Sequence, residues 1–168
     1  VRQVILQKPK GHLKMARKKF EWLGHGVYFW ENDPSRALEW AQEKKHPDPD
    51  VIGGVIDLGL CLDLTTRIGC KEVSDTYHRI KESFSLAGKE LPINSVGKDL
   101  LRRELDCQVI MSVHEFRKQA KLPPYESIRA AFPESGKLYP GAGFSAKGHI
   151  QICVRDPKKC IKGYFKPL

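Results

Sequence analysis

The sequence predicts a single α+β domain that spans residues 1–168. Segments typical of strands lie near both ends of the chain, at Val27–Trp30 and 149–155, and segments with helical spacing of leucine and isoleucine lie between them. Strand and helix do not alternate regularly, so a doubly wound parallel sheet is not expected. A chain of 168 residues fits one domain that buries roughly two thirds of the surface its unfolded form exposes.

A glycine turn leads into the first strand. Gly24 and Gly26 flank one residue, which allows a sharp turn and close approach of another molecule, and the run Val27–Trp30 is β-branched and aromatic. Asn32 or Asp33 is expected to cap a helix that has Pro34 in its first turn. The buried side of this helix is predicted to contain Ala37, Leu38, Trp40 and Ala41.

The middle of the chain predicts further strands and then helices. Residues 51–60 (VIGGVIDLGL) are apolar and β-branched, which indicates a central strand with a bulge or close packing at the glycine pair, and 61–65 indicates a short strand or capped turn. Residues 73–86 and 98–105 show the spacing of amphipathic helices. Residues 107–116 are apolar enough to form either a buried strand or a helix.

A second glycine-bearing loop precedes the clearest strand. Residues 138–144 lack the spacing of a dinucleotide fingerprint and are predicted to form a hairpin connection or a substrate-facing lid. Residues 149–155 alternate between apolar and polar, and 160–165 follow after a basic turn. His149 and Gln151 are two residues apart and therefore project from the same face of the strand.

The chain is basic, with a formal net charge of +9. Such an excess favours a polyanionic partner, nucleic acid above all, although a merely basic, solvated surface explains it equally well. The sequence shows no aromatic-interleaved signature of nucleic-acid binding. The lysines and arginines of the connector before the glycine turn are predicted either to hold phosphates or to form a solvated loop; they are Lys8, Lys10, Lys14, Arg17, Lys18 and Lys19.

The five cysteines include no CxxC pair and are odd in number, which argues against a disulfide framework and a zinc ribbon and favours the cytoplasm. His114-Glu115 lacks the second histidine of a metalloprotease helix, so His114 is predicted to lie on a helix surface or to have a satisfied partner. We expect no metal. No apolar run approaches the roughly 20 residues that span a bilayer, and no membrane association is expected.

Residues 24–29 (GHGVYF) resemble the glycine, any residue, glycine, aliphatic, tyrosine, phenylalanine run of the poly-ADP-ribose-polymerase-like ADP-ribosyltransferases, the His-Tyr-Glu type related to diphtheria toxin. Residues 151–156, continuing to 161–165, resemble the late strand of that superfamily and the element after it. The resemblance implies a split two-sheet β core with flanking helices and NAD bound in a cleft between the sheets. Tyr28 matches the tyrosine whose ring contacts nicotinamide.

Two positions depart from the pattern of the superfamily. Gln151 occupies the position of a glutamate that stabilises positive charge on the ribose, and a glutamine keeps the hydrogen bond but supplies neither charge nor a general base. Glu134 and Asp156 are the alternative acids. Neither His12 nor His25 matches the superfamily's histidine, which we expect, together with a first strand, to precede Val1.

The resemblance implies a bacterial ADP-ribosyltransferase that moves ADP-ribose from NAD to RNA or DNA, as a toxin or a phage-defence effector, with a protein antitoxin or regulator as a further partner. Tyr28 and Gln151 are the predicted catalytic residues. Alternatives are a non-catalytic module that binds ADP-ribose, nucleic acid or protein, and an NAD-using tRNA 2′-phosphotransferase. The residues expected to contact NAD are Gly24, His25, Gly26, Tyr28, Arg36 and His149. A surface position explains His149 equally well.

Overall fold

The computed structural model describes residues 13–95, 102–134 and 136–167. It is a mixed α+β structure, which confirms the predicted class. The helices and strands, in chain order, are β1 (Val27–Trp30), α1 (Pro34–Glu43), β2 (Gly53–Ile56), β3 (Cys61–Asp63), α2 (Arg67–Leu86), β4 (Asn94–Ser95), β5 (Arg102–Arg103), α3 (Glu104–Gln119), β6 (Ser127–Phe132), β7 (His149–Val154), α4 (Pro157–Cys160) and β8 (Ile161–Phe165).

The largest sheet has four strands in the order β1, β7, β6, β3. β7 pairs antiparallel with β1 on one side and with β6 on the other, and β3 joins β6 in parallel. β7 is the strand with the clearest alternation in the sequence. Its central position is consistent with its burial, because five of its six residues are buried.

Each face of this sheet packs against a different layer. One face, here called the helix face, carries Ile128, Ala130 and Cys153, which pack with Ile110 and Val113 of α3. The opposite face packs against the two-stranded sheet of β2 and β8, and this second cluster consists of Val27, Phe29, Ile152, Val154, Cys160 and their partly buried neighbours Ile56, Leu58, Ile161 and Tyr164. The helix face and the second sheet thus define two apolar clusters, one on each side of β7.

The prediction of a central strand over 51–60 is wrong. Only Gly53–Ile56 form a strand, which pairs with β8 outside the main sheet, and Val55 is 55% exposed. The glycine pair explains the difference: a Cβ at Gly53 would meet the ring of Phe165 at 2.4 Å, and one at Gly54 would meet the ring of Phe29 at 2.9 Å. The close packing expected at the glycine pair is therefore confirmed, in a two-stranded sheet whose register shift lies just after the pair, between Val55 and Ile56.

The first helix begins as predicted but buries a different residue. Asp33 caps it by accepting a hydrogen bond from the Arg36 amide at 2.9 Å, with Pro34 in the first turn. Trp40 was expected on the buried side, yet it is 38% exposed and contacts the ring of Trp30. Arg36 is buried instead, and its guanidinium pairs with the carboxylate of Glu134, just after β6.

Other expectations meet mixed outcomes. Residues 98–101 of the predicted helix 98–105 lie outside the described residues, Arg102–Arg103 form a strand, and α3 begins at Glu104 and includes the ambiguous segment 107–116. The connector before the glycine turn lies partly outside the described residues, and 13–23 contain turns and a bridge from Ala16 to Gly26. Among the described helices, none is long and apolar enough to cross a membrane.

His114 departs from both of its predicted settings. It lies in α3 but is only 8% exposed, and neither of its ring nitrogens has a hydrogen-bond partner among the described residues. Burial, together with the nearby charges of Arg155 and Arg117, lowers its pKa to about 3. His114 is therefore a neutral core residue at physiological pH, not a surface group.

Candidate functional site

Buried polar side chains gather where β6 ends, β7 begins and α1 starts. Arg36, His149 and Gln151 are 7%, 8% and 9% exposed, and the side chain of Glu134 is 15% exposed. We call these four residues the polar cluster. Buried polar groups of this density need partners, so their hydrogen bonds indicate what the cluster offers to a ligand.

His149 is held from both ring nitrogens. Its Nδ1 lies 3.0 Å from the carbonyl oxygen of Lys147, and its Nε2 lies 2.9 Å from Nε2 of Gln151. A carbonyl oxygen only accepts hydrogen bonds, so Nδ1 carries the proton, and the neutral imidazole then presents a lone pair at Nε2. The amide NH₂ of Gln151 therefore donates to His149.

This bond fixes the orientation of the Gln151 amide. With its nitrogen directed at the imidazole, the carbonyl Oε1 is turned away from the ring, and it accepts no hydrogen bond from the described residues. The polar cluster thus presents an acceptor with a defined direction. A ligand hydroxyl or N–H group is the chemical complement of such an acceptor.

Arg36 and Glu134 form the charged half of the cluster. Oε2 of Glu134 accepts from Nη2 of Arg36 at 2.6 Å and from its Nε at 3.2 Å, and it lies 4.0 Å from Nδ1 of His149. Burial lowers the pKa of Arg36, but the carboxylates of Glu134, Glu43 and Glu39 outweigh burial and leave it raised. The ion pair therefore stays charged, and Arg36 neutralises the carboxylate nearest to His149.

Aromatic rings surround the imidazole. The ring centroid of His149 lies 5.8 Å from that of Phe132 and 6.4 Å from that of Trp30, and Trp30 in turn contacts Trp40 at 5.5 Å. The pairing of β1, β7 and β6 produces this arrangement, because Trp30 is opposite Gln151 and Phe132 is opposite His149. The indole nitrogen of Trp30 is buried without a partner among the described residues.

A mostly apolar cavity of about 470 Å³ lies beside the polar cluster, between β6, α2 and α3. Phe132 belongs to its lining and also contacts His149, so the cavity and the cluster adjoin. Arg103 covers the rings of Trp22 and Phe132, with its guanidinium carbon 4.1 Å and 5.1 Å from their centroids. The cavity lining also includes Leu64, Val73, Tyr77, Ile110 and Ala130.

Tyr28 lies on the same face of the sheet as Gln151, two residues from the Trp30–Gln151 pair. Its hydroxyl donates to the carbonyl of Gly24 at 2.7 Å and accepts from the amide of Leu23 at 2.8 Å, so the polar end of the side chain closes its own turn. Burial raises the pKa of Tyr28 far above its usual value. Burial also raises the pKa of the opposite residue, Cys153, to about 12, so its thiol stays protonated.

The two glycines of the turn have packing roles in this structure. Gly24 has a φ of +75°, which favours glycine, and a Cβ there would meet Ile110 at 3.0 Å. A Cβ at Gly26 would meet Sγ of Cys153 at 2.4 Å and the carbonyl oxygen of Val154 at 2.7 Å. Close approach of β7 therefore accounts for Gly26 without a ligand, and a contact of either glycine with NAD stays a prediction.

The structure brings together Arg36, His149 and Gln151 from the predicted set. Tyr28 is nearby on the same face, whereas the described contacts do not join His25 to the cluster. Glu134 was named only as an alternative acid, and the roles of Phe132 and Trp30 around the imidazole were missed. The alternation of apolar residues along 127–132 indicates a strand that contains Phe132. Placing Phe132 beside His149 additionally requires the register of β6 with β7.

Among the described residues, no group of histidine, cysteine and carboxylate side chains has the arrangement of a metal site. All five cysteines are free thiols. No protein-family model, curated protein or solved structure matches this chain.

Proposed function

We propose that this protein is an NAD-dependent ADP-ribosyltransferase that transfers ADP-ribose to a macromolecule. The observation that supports the proposal is the convergence of two distant motifs: Tyr28 and Gln151 lie on adjacent strands and on one face of the sheet. Arg36, Glu134 and His149 add a buried polar cluster at the same end of that face. The motif resemblance predicts these two segments as neighbours in an NAD site.

The proposed reaction breaks the bond between nicotinamide and C1′ of the ribose. Nicotinamide leaves with the electron pair, positive charge builds on C1′ and the ring oxygen, and the acceptor forms a bond to C1′ as it loses a proton. Oε1 of Gln151 suits a hydrogen bond from a ribose hydroxyl, because the amide nitrogen is already committed to His149. Gln151 would orient the sugar but would not stabilise its charge.

Glu134 is the carboxylate that we assign to charge stabilisation or proton removal. Both bonds from Arg36 reach Oε2, and Oε1 accepts no hydrogen bond from the described residues. That second oxygen is free to face a substrate. The neighbouring guanidinium weakens its field, however, so we expect slow turnover relative to a site with an unpaired carboxylate at the position of Gln151.

A non-catalytic ADP-ribose-binding module on the same scaffold is the second candidate. It is favoured by the amide at position 151, which carries no charge, and by the neutralisation of Glu134. This candidate predicts binding of NAD or ADP-ribose without release of nicotinamide.

Incubation with NAD labelled in the adenylate moiety separates the two candidates. The enzyme predicts label on nucleic acid or protein together with free nicotinamide, and the module predicts bound but intact NAD. Gln151→Ala should lower turnover at least tenfold while changing the dissociation constant of NAD by less, and Gln119→Ala on the exposed end of α3 is the matched control. Absence of NAD binding by the wild-type protein contradicts both candidates.

Gln151→Glu tests the assignment of the charge. A carboxylate at this position supplies what the amide lacks, so turnover should rise, and Glu134→Gln should lower turnover in both backgrounds. Equal turnover in wild type and Gln151→Glu removes residue 151 from the reacting centre.

The net charge of +9 favours RNA or DNA as the acceptor of the ADP-ribose.

A further inference from the structure

Cationic side chains alternate with aromatic rings where the segment before the glycine turn meets β5. The sequence alone does not show this pattern, because the residues come from distant parts of the chain. Lys18 lies over the ring of Phe20 at 5.5 Å, and Arg102 reaches the same ring at 4.7 Å from a distant strand. Next to them, Arg103 covers Trp22 and Phe132. The pairing of β4 with β5 places the two arginines here, since Arg102 and Arg103 are opposite Ser95 and Asn94.

Exposed positive charge accompanies these rings. The side chains of Lys19 and Arg102 are 76% and 53% exposed, and both pair with Glu104, which leaves that trio with one net positive charge. Lys18 is exposed, as are Lys14 and Arg17 in the same segment of the chain. We call Lys18, Lys19, Phe20, Trp22, Arg102 and Arg103 the basic-aromatic surface.

One buried ring separates this surface from the polar cluster. Arg103 contacts Phe132, and Phe132 contacts His149, which holds Gln151. A flexible polyanion bound along the cations would therefore lie beside the cluster, separated from it by Phe132, which is 5% exposed. Single-stranded nucleic acid has the matching chemistry, because its phosphates pair with cations and its unstacked bases lie on rings and guanidinium planes.

We propose that the basic-aromatic surface binds single-stranded nucleic acid. An acidic protein segment matches the cations but not the alternation with aromatic rings, so it is the less complementary partner. The surface gives the acceptor of the proposed function a binding place, but binding itself requires no NAD. The two proposals can therefore fail independently.

Fluorescence anisotropy with a labelled single-stranded RNA of about 15 nucleotides tests the proposal at several salt concentrations. With three to four phosphate contacts, the logarithm of the binding constant should fall with the logarithm of salt at a slope of about −2 to −3. A DNA strand of the same sequence shows whether the 2′-hydroxyl contributes, and binding of either strand supports the surface. A flat salt response or no binding of either strand overturns it.

Variants locate the binding. Lys18→Gln with Lys19→Gln removes two exposed cations, which should weaken binding about 25-fold near 0.1 M salt and reduce the slope by about 1.4. The matched control is Lys118→Gln with Lys158→Gln, at the far end of α3 and in α4, which should change affinity less than twofold. Equal loss in both double variants shows that net charge alone drives binding and contradicts the surface.

Two further measurements separate the alternatives. Phe20→Leu keeps apolar bulk but removes the ring, so it should weaken binding without changing the salt slope; unchanged affinity removes the ring from the surface. Poly-glutamate that displaces the RNA at equal charge concentration overturns the choice of nucleic acid. Gln151→Ala should bind RNA as the wild type does even though its NAD turnover falls. A wild-type protein that binds RNA but neither binds NAD nor releases nicotinamide from it contradicts only the proposed function.

Discussion

Two histidines of this protein are equally buried but lie in opposite environments. His149 and His114 are each 8% exposed. His149 has partners at both ring nitrogens, whereas His114 has no hydrogen-bond partner at either nitrogen among the described residues. The first belongs to the polar cluster at the end of β7, and the second lies in the apolar layer of α3 beside the ring of Tyr125.

The comparison shows what distinguishes a buried polar site from a tolerated polar core residue. In the polar cluster, each group sets the state of the next: the Lys147 carbonyl fixes the tautomer of His149, and His149 fixes the amide of Gln151. His114 makes no hydrogen bond that would orient another described side chain, and it stays neutral because ionisation in its buried surroundings is costly. Connected partners, not burial, therefore identify the candidate site.

The largest expected effect is the loss of the ion pair within the polar cluster. Arg36→Ala leaves Glu134 largely buried and without its cation, so the free energy of unfolding should fall by about 3 kcal/mol. Urea denaturation at neutral pH measures this change. Glu39→Gln is the control, because Glu39 is 55% exposed and 3.9 Å from Arg36, and it should alter stability by no more than about 0.5 kcal/mol.

A double variant sharpens the same test. Arg36→Met combined with Glu134→Leu removes both charges and should recover most of the lost stability, since no unpaired charge remains. If the double variant is as unstable as Arg36→Ala, the cluster depends on shape and hydrogen bonding more than on the ion pair.

His114 predicts a loss of stability in acid. Its folded-state pKa of about 3 lies below the ordinary value of 6.5, so between these values the unfolded chain binds a proton that the folded protein does not. Stability contributed by this group is therefore present above pH 6.5 and decreases as the pH falls toward 3. Between pH 6.5 and 4.5 the decrease should be about 2 kcal/mol.

The charges that face His114 come from two other parts of the chain, Arg155 after β7 and Arg117 one turn along α3. Guanidinium groups are cationic throughout this pH range, so these charges do not mask the effect. The free energy of unfolding of wild type and His114→Leu, compared at the two pH values, isolates the contribution of the histidine. The same acid loss in both proteins assigns it to other groups.

At neutral pH, the two histidines should respond to leucine in opposite directions. His149→Leu leaves the Lys147 carbonyl and the Gln151 amide without their partner and should cost about 1–2 kcal/mol. His114→Leu removes two unpaired buried nitrogens and should leave stability unchanged or higher. Thermal denaturation of the two variants side by side provides the comparison, and destabilisation by both shows that His114 has a partner of its own.

Much of the fold was accessible from local sequence. Strand β1, the cap at Asp33 and the alternation of β7 follow from side-chain preference and spacing, and the structure confirms them. Local side-chain preference did not predict the correct strand length and sheet where two glycines determine the packing. The apolar run at 51–60 forms only a short strand of the second sheet, because Gly53 and Gly54 accommodate rings from other elements.

The candidate site was predictable only in part, because its members meet through pairing between distant segments. His149 and Gln151 share a strand face, which spacing alone predicts. The contact of Phe132 with His149 requires the register of β6 with β7, and the ion pair of Arg36 with Glu134 joins residues 98 positions apart. Burial of Arg36 on an otherwise amphipathic helix has no signal in the helix itself.

The smallest expected change in stability is at Tyr28, whose buried hydroxyl has both of its hydrogen-bond partners within its own turn. Tyr28→Phe leaves the Leu23 amide and the Gly24 carbonyl without that partner and should reduce the free energy of unfolding by about 1 kcal/mol. Tyr139→Phe, at a site that is 54% exposed, is the matched control and should have no effect. Because the ring is retained, NAD affinity should stay within twofold of wild type if Tyr28 contacts nicotinamide through its face. Loss of NAD binding without loss of stability would instead assign the hydroxyl to the ligand, and the turn would then resemble the polar cluster more than the core around His114.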